Sequence, residues 1–105
     1  MQIQINTDRN IENSERLTNF FSTEIKNELE RFDSLITRVE VHFGDENSDK
    51  FGTNDKRCLI EVRMVKKEPI AVTDYADSIE KAFNNAVIKV KRVLNSAHEK
   101  MRENH

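Results

Sequence analysis

Cysteine, proline, glycine and tryptophan are nearly missing from this chain: one Cys, one Pro, two Gly and no Trp in 105 residues. A lone cysteine, Cys58, excludes an internal disulfide and fits a reducing compartment. So little glycine and proline excludes low-complexity and linker-rich chains and favours long, uninterrupted elements. It also leaves no Gly-rich phosphate loop, and no nucleophile elbow is present. No apolar run approaches the length of a membrane span. The opening MQIQINTDRN lacks the basic and apolar regions of a signal peptide. A soluble, cytoplasmic protein without a membrane partner is expected.

What remains is polar yet globular. Hydrophobic residues make up 36% and charged residues 34%, enough for one domain, 1–105, with a modest core. The net charge of −2 is unevenly spread: residues 1–55 carry 6 Lys and Arg against 12 Asp and Glu, and residues 56–105 carry 11 against 7. Such a dipole steers the basic half toward an anionic partner, or else reflects a solvated surface whose charges segregate.

The longest patterned stretch is Asp74 to Met101. Tyr75, Ile79, Ala82, Phe83, Ala86, Val90, Val93, Ala97 and Met101 recur at steps of three and four, the spacing of one helix face. Asp74 is placed to cap its N-terminus, and Asp77 and Glu80 to complement the positive end of the helix dipole. Upstream, Met1, Ile3 and Ile5 alternate as a short strand. Ser14 caps a helix carrying Leu17, Phe20, Phe21, Ile25, Leu29 and Phe32 on its apolar face. Ile36–Phe43 and Arg57–Val65 alternate as strands on either side of a polar loop, Gly44–Lys56. Pro69 opens a brief strand, Ile70–Thr73. The expected fold is α+β in the order β-α-β-β-β-α: a four-stranded mixed sheet with both helices on one face. The opposite face carries Arg38, Glu40, His42, Glu61 and Arg63 toward water.

Chemistry is sparse. His42, His98 and His105 are scattered, and Cys58 sits on an apolar face, which predicts no catalytic residue, no metal and no cofactor. Asp45, Asn47 and Asp49 mimic the start of a calcium loop. Lys50 and Lys56 then stand where that loop needs Gly and Glu. No small-molecule substrate is implied. The basic end of the long helix remains, with Lys89 and Arg92 three apart, Lys91 beside them, and Lys100 and Arg102 further on. These cations can contact successive phosphates of a nucleic acid, or can simply complement the C-terminal dipole of a solvated helix.

In order and spacing the segments MQIQI, NIENSERLTNFF, ELERFDSLITRVEVHF, RCLIEVRMV, PIAVT and ADSIEKAFNNAVIKVKRVL resemble the ribosome hibernation-promoting factor and ribosome-associated inhibitor family, the sigma modulation proteins. The likeness is to a short subgroup without the dimerising second domain of longer members. It implies a non-enzymatic, stress-linked translation regulator that lies in the messenger and transfer RNA channel of the small ribosomal subunit. There its basic helix residues would meet ribosomal RNA phosphates. The family's pattern falls on Lys89, Lys91 and Arg92, with Lys100 and Arg102 beyond the best-matching segment. The first helix departs from it, since Glu24 and Asn27 stand where members carry lysines and Glu28 and Glu30 add acid. The alternative is a protein-interaction or stress-adaptor domain on the same scaffold.

Overall fold

A computed structural model of the chain describes residues 1–9, 11–12, 14–46 and 54–103, with side chains through residue 99. The elements run β1 (Gln2–Thr7), α1 (Glu15–Leu29), a 3₁₀ segment (Glu30–Leu35), β2 (Ile36–Asp45), β3 (Lys56–Met64), β4 (Ile70–Ala76) and α2 (Ile79–Glu103). The strands form one sheet in the order β1-β2-β3-β4. The β1 and β2 strands are parallel, as a crossover through α1 requires, and the remaining pairs are antiparallel. This is the α+β arrangement expected from the pattern. Packing of α1 against β1, and of α2 against β3 and β4, buries one face of the sheet.

That face is apolar because every second residue points into it. Val39, Val41, Phe43, Cys58, Ile60 and Val62 are buried there, with Ile3, Ile5, Ile70 and Val72 at its margins. The two helices and the sheet meet at Phe21 of α1, Phe43 of β2 and Phe83 of α2. The ring of Phe21 lies 4.6 Å from that of Phe43 and 5.0 Å from that of Phe83. A register shift between Ile36 and Arg38 lets Ile36 and Val39 both face the core although they are three apart.

The first helix begins where expected: the Ser14 hydroxyl accepts from the Leu17 N–H at 3.0 Å, a cap that stabilises by about 1 kcal/mol. It tightens into a 3₁₀ turn after Leu29. Leu29, Phe32 and Leu35 are all buried at intervals of three, the repeat of that helix. Phe20, expected in the core, is 48% exposed. Neighbouring helical residues stand about 100° apart, so burying Phe21 turns Phe20 outward.

The start of the long helix also differs from expectation. Asp74 and Tyr75 lie in β4, and the helix opens only at Ile79. Ser78 takes the capping role assigned to Asp74, its hydroxyl accepting from the Lys81 N–H at 3.2 Å. Tyr75 faces the open side of the sheet beside Arg57, its hydroxyl 3.4 Å from Glu46 Oε1. The buried stripe of α2 is Ala82, Phe83, Ala86, Val87, Val90 and Leu94. Leu94 displaces Val93, which is exposed. The expected loop is shorter than 44–56, since β2 and β3 pair as far as Asp45 and Lys56. There Lys56 Nζ sits between Asp45 (3.1 Å) and Asp55 (3.2 Å). These hydrogen bonds hold its ammonium pKa above the usual lysine value. The calcium-like positions Asn47, Asp49 and Lys50 lie outside the described residues. Gly44, expected to open that loop, is paired with Arg57, and a Cβ there would stand 2.8 Å from Arg57 Nη2 and 2.9 Å from Asp8 Oδ2.

Candidate nucleic-acid interface

The cations expected to bind phosphate all lie on α2, but they do not share one face. Lys89 and Arg92 stand about 60° apart around the helix, and Lys89 and Lys91 about 160° apart. Lys89 leans toward the sheet edge. Its Nζ is 3.0 Å from Asp74 Oδ2 and donates to the Thr73 carbonyl at 3.2 Å. Asp74 can meet it because its place in β4, opposite Cys58, turns its side chain to the helix-covered face. The hydrogen bond from Lys89 holds the Asp74 carboxyl below the usual carboxylate range, reinforced by the Tyr75 N–H, which donates to its Oδ1 at 2.8 Å.

Lys91 leans the other way, toward α1, where its Nζ lies 2.6 Å from Glu28 Oε2. Arg92 is exposed between these flanks and has no hydrogen-bond or ion-pair partner among the described residues. The backbone of α2 continues through Lys100 and Arg102, whose side chains lie outside the described residues. Sequence spacing identified these cations but missed both carboxylates that occupy them. Glu28 lies 63 positions from its lysine, a separation at which only the packing of α1 beside α2 reveals a contact. Asp74 is nearer in sequence, but reading it as a helix cap hid its role as an edge-strand partner.

Among the described residues this surface presents the free Arg92 guanidinium flanked by two ammonium groups held in surface ion pairs. Exposed pairs of this kind contribute about 0–1 kcal/mol each. Exchanging a carboxylate for a phosphate is therefore close to balanced, and the ion pairs do not bar Lys89 and Lys91 from an anionic ligand. The reactive possibilities are poor by comparison. Cys58 is buried, and desolvation pushes its thiol pKa up to about 12, with a further contribution from Asp74. A thiol so protonated is a packing residue rather than a nucleophile. No helix among the described residues is long and apolar enough to cross a membrane.

Known structures share this architecture. The crystal structure of the N-terminal domain of Protein Y from Thermus thermophilus superposes with a TM-score of 0.63 at 17% identity, covering 90% of this chain and 96% of that one. A ribosomal subunit interface protein from Coxiella burnetii gives 0.71 at 16% identity, covering 94% and 99%. At such identities the likeness is one of fold. Comparison with curated protein sequences gave no match. The family model described as sigma 54 modulation protein / S30EA ribosomal protein matches residues 3–102, and this chain belongs to that family.

Proposed function

We propose that this protein associates with the small ribosomal subunit in the cytoplasm and regulates translation, contacting ribosomal RNA phosphates through Lys89, Lys91 and Arg92 of α2, with Lys100 and Arg102 extending the contact. The observation that carries the reading is the family match over residues 3–102. The likeness to a structure described as a ribosomal subunit interface protein adds to it. On the chain itself, Arg92 is exposed without a partner among the described residues, and Lys89 and Lys91 are held by carboxylates that phosphate can replace. Phosphate contacts read charge and spacing rather than sequence, so Lys89 and Lys91 on opposite flanks with Arg92 between them suit a ligand that wraps the helix better than one that lies along it.

The test is sedimentation of the tagged protein with ribosomal subunits through sucrose gradients at low and high salt. Association with the small subunit at low salt and release at high salt is expected. The Lys89→Ala/Lys91→Ala/Arg92→Ala variant is expected to flatten the logarithmic salt dependence by about 2, from roughly 0.7 for each single-stranded phosphate that is no longer neutralised. An unchanged profile overturns the assignment of these residues.

A second reading, a protein-interaction domain, is favoured by α1 and the 3₁₀ turn that follows it, where Glu24 and Glu28 are succeeded by Glu30 and Glu28 already engages Lys91. Salt-insensitive binding to a protein free of ribosomes distinguishes it.

A further inference from the structure

On the open side of the sheet, the pairing of β2 with β3 sets Glu40 directly opposite Glu61. Like charges at opposed positions destabilise a sheet. His42, two residues along β2 on the same face, comes between them. Its Nε2 lies 3.2 Å from Glu61 Oε1 and 3.9 Å from Glu40 Oε2. One donor atom from each residue falls within a set whose members are all within 4.8 Å of one another. We propose that Glu40, His42 and Glu61 form a binding site for a divalent transition-metal ion of the zinc type, with water completing its coordination.

The geometry favours a shared ion over a simple hydrogen bond. His42 Nε2 is shielded from solvent and has no hydrogen-bond partner among the described residues, although Glu61 Oε1 is only 3.2 Å away. The oxygen is thus close to the nitrogen but poorly aligned with it. Two ligands of one ion have that relationship, because their lone pairs converge on a point between them. With metal–donor bonds of about 2.0–2.2 Å, tetrahedral donors stand about 3.3 Å apart. The His42–Glu61 separation already matches, and the His42–Glu40 separation needs less than an ångström of side-chain adjustment.

The surroundings hold the donors in place. Arg38 donates to Glu40 Oε1 from Nε at 3.2 Å and Nη2 at 2.9 Å, which leaves Oε2 turned toward His42. Arg38 also bonds Gln4. On the far side of the imidazole, Asn6 Nδ2 is 3.3 Å from Nδ1. In this arrangement the Asn6 amide N–H faces Nδ1 while Asn6 Oδ1 accepts from Gln4 Nε2 at 3.0 Å. Metal binding at Nε2 places the ring proton on Nδ1, so the Asn6 amide turns its oxygen to that proton and gives up the exposed hydrogen bond from Gln4. One imidazole with two carboxylates suits zinc and its neighbours, whereas magnesium favours oxygen ligands alone. The guanidinium groups of Arg38 and Arg63 oppose a cation electrostatically, so the site is one of modest affinity. Histidine spacing along the chain does not reveal it, because two of its ligands face each other only through strand register.

The test is calorimetric titration of the full chain with zinc chloride in a His98→Gln/His105→Gln background, which removes the other imidazoles. One bound ion is expected. His42→Ala and Glu61→Gln are each expected to weaken binding at least about tenfold, and magnesium is expected to give no comparable heat. Zinc should also raise the unfolding temperature of the parent and leave the two variants unmoved. In the protein without substitutions, the ring nitrogen resonances of His42 should shift on addition of zinc, a readout independent of whether the variants fold. A silent His42 ring, or zinc binding unaffected by His42→Ala, overturns the proposal.

Discussion

Lys91 of α2 and Glu28 of α1 form an ion pair between the two helices, Nζ to Oε2 at 2.6 Å. The side chains are 38% and 39% exposed, so solvent screens the pair and its contribution to stability is small. It matters more for binding, because it places an anion beside a cation assigned to phosphate.

Replacing Glu28 with Gln is therefore expected to cost less than about 0.5 kcal/mol in urea unfolding. The same change frees Lys91 and removes a repulsive carboxylate. Association with ribosomal subunits at low salt is expected to tighten about two- to fivefold, the equivalent of roughly 0.4–1 kcal/mol, and the gain should fade as salt rises. Weaker association in Glu28→Gln would show that the pair positions Lys91 rather than masking it.

Asp74→Asn probes the other masked lysine. The Lys89 hydrogen bond lowers the folded-state pKa of Asp74 below its ordinary 3.8. Its contribution to stability is accordingly present above pH 3.8 and lost as pH falls through the lowered folded value. The parent is expected to lose more stability than Asp74→Asn between pH 5 and pH 2, by less than about 1 kcal/mol for a pair this exposed. Parallel acid-unfolding curves would mean that the ion pair adds nothing to stability. At neutral pH the variant should also strengthen salt-sensitive binding through the freed Lys89.

The two adjacent phenylalanines of α1 separate packing from mere apolarity. Phe21 is 3% exposed and touches the rings of Phe43 in the sheet and Phe83 in α2, whereas Phe20 is half-exposed and meets Phe21 edge-on at 5.0 Å. Phe21→Ala is expected to destabilise by about 3–5 kcal/mol, a large part of the stability of a domain this size. Phe20→Ala should cost about 1 kcal/mol or less. Equal losses in chemical denaturation would contradict the packing of Phe21 against both the sheet and α2.

The order of elements was legible in the sequence because alternation and the helical repeat are local properties of the chain. Ser14, Val39, Val41, Phe43 and Val90 all took their expected places for that reason. Positions failed where tertiary packing chose between neighbours. A three-and-four spacing allows either Val93 or Leu94 to continue the stripe of α2, and only the neighbouring β3 and β4 select Leu94. Asp74 and Tyr75 continue the helical pattern backward from Ile79, yet pairing with Cys58 and Arg57 holds them in β4. The basic residues of α2 were visible, but their partners Glu28 and Asp74 were not. Charge–charge proximity across elements leaves no periodic trace.

Cys58 joins the core to the sheet edge and yields the alkaline prediction. Burial, and then the Asp74 carboxylate on the opposed residue of β4, push its thiol from an ordinary 9.0 to about 12. The unfolded chain loses this proton near pH 9 while the folded chain keeps it. Stability is therefore fully present below pH 9 and falls between pH 9 and pH 12. One group contributes a slope of at most about 1.4 kcal/mol per pH unit. Lys56, whose ammonium pKa is raised by Asp45 and Asp55, adds a decline of the same sign at higher pH, so the total slope alone does not identify the thiol. Cys58→Ala removes the thiol while keeping Lys56, at a packing cost of about 1 kcal/mol for a small buried side chain. Urea unfolding at pH 8, 9 and 10 is expected to show the parent losing stability more steeply than the variant, so that the two curves converge with rising pH. Iodoacetamide should label the native thiol far more slowly than the unfolded one across the same range. Curves that stay parallel from pH 8 to pH 10 would mean that Cys58 ionises in the folded protein as it does in the unfolded chain.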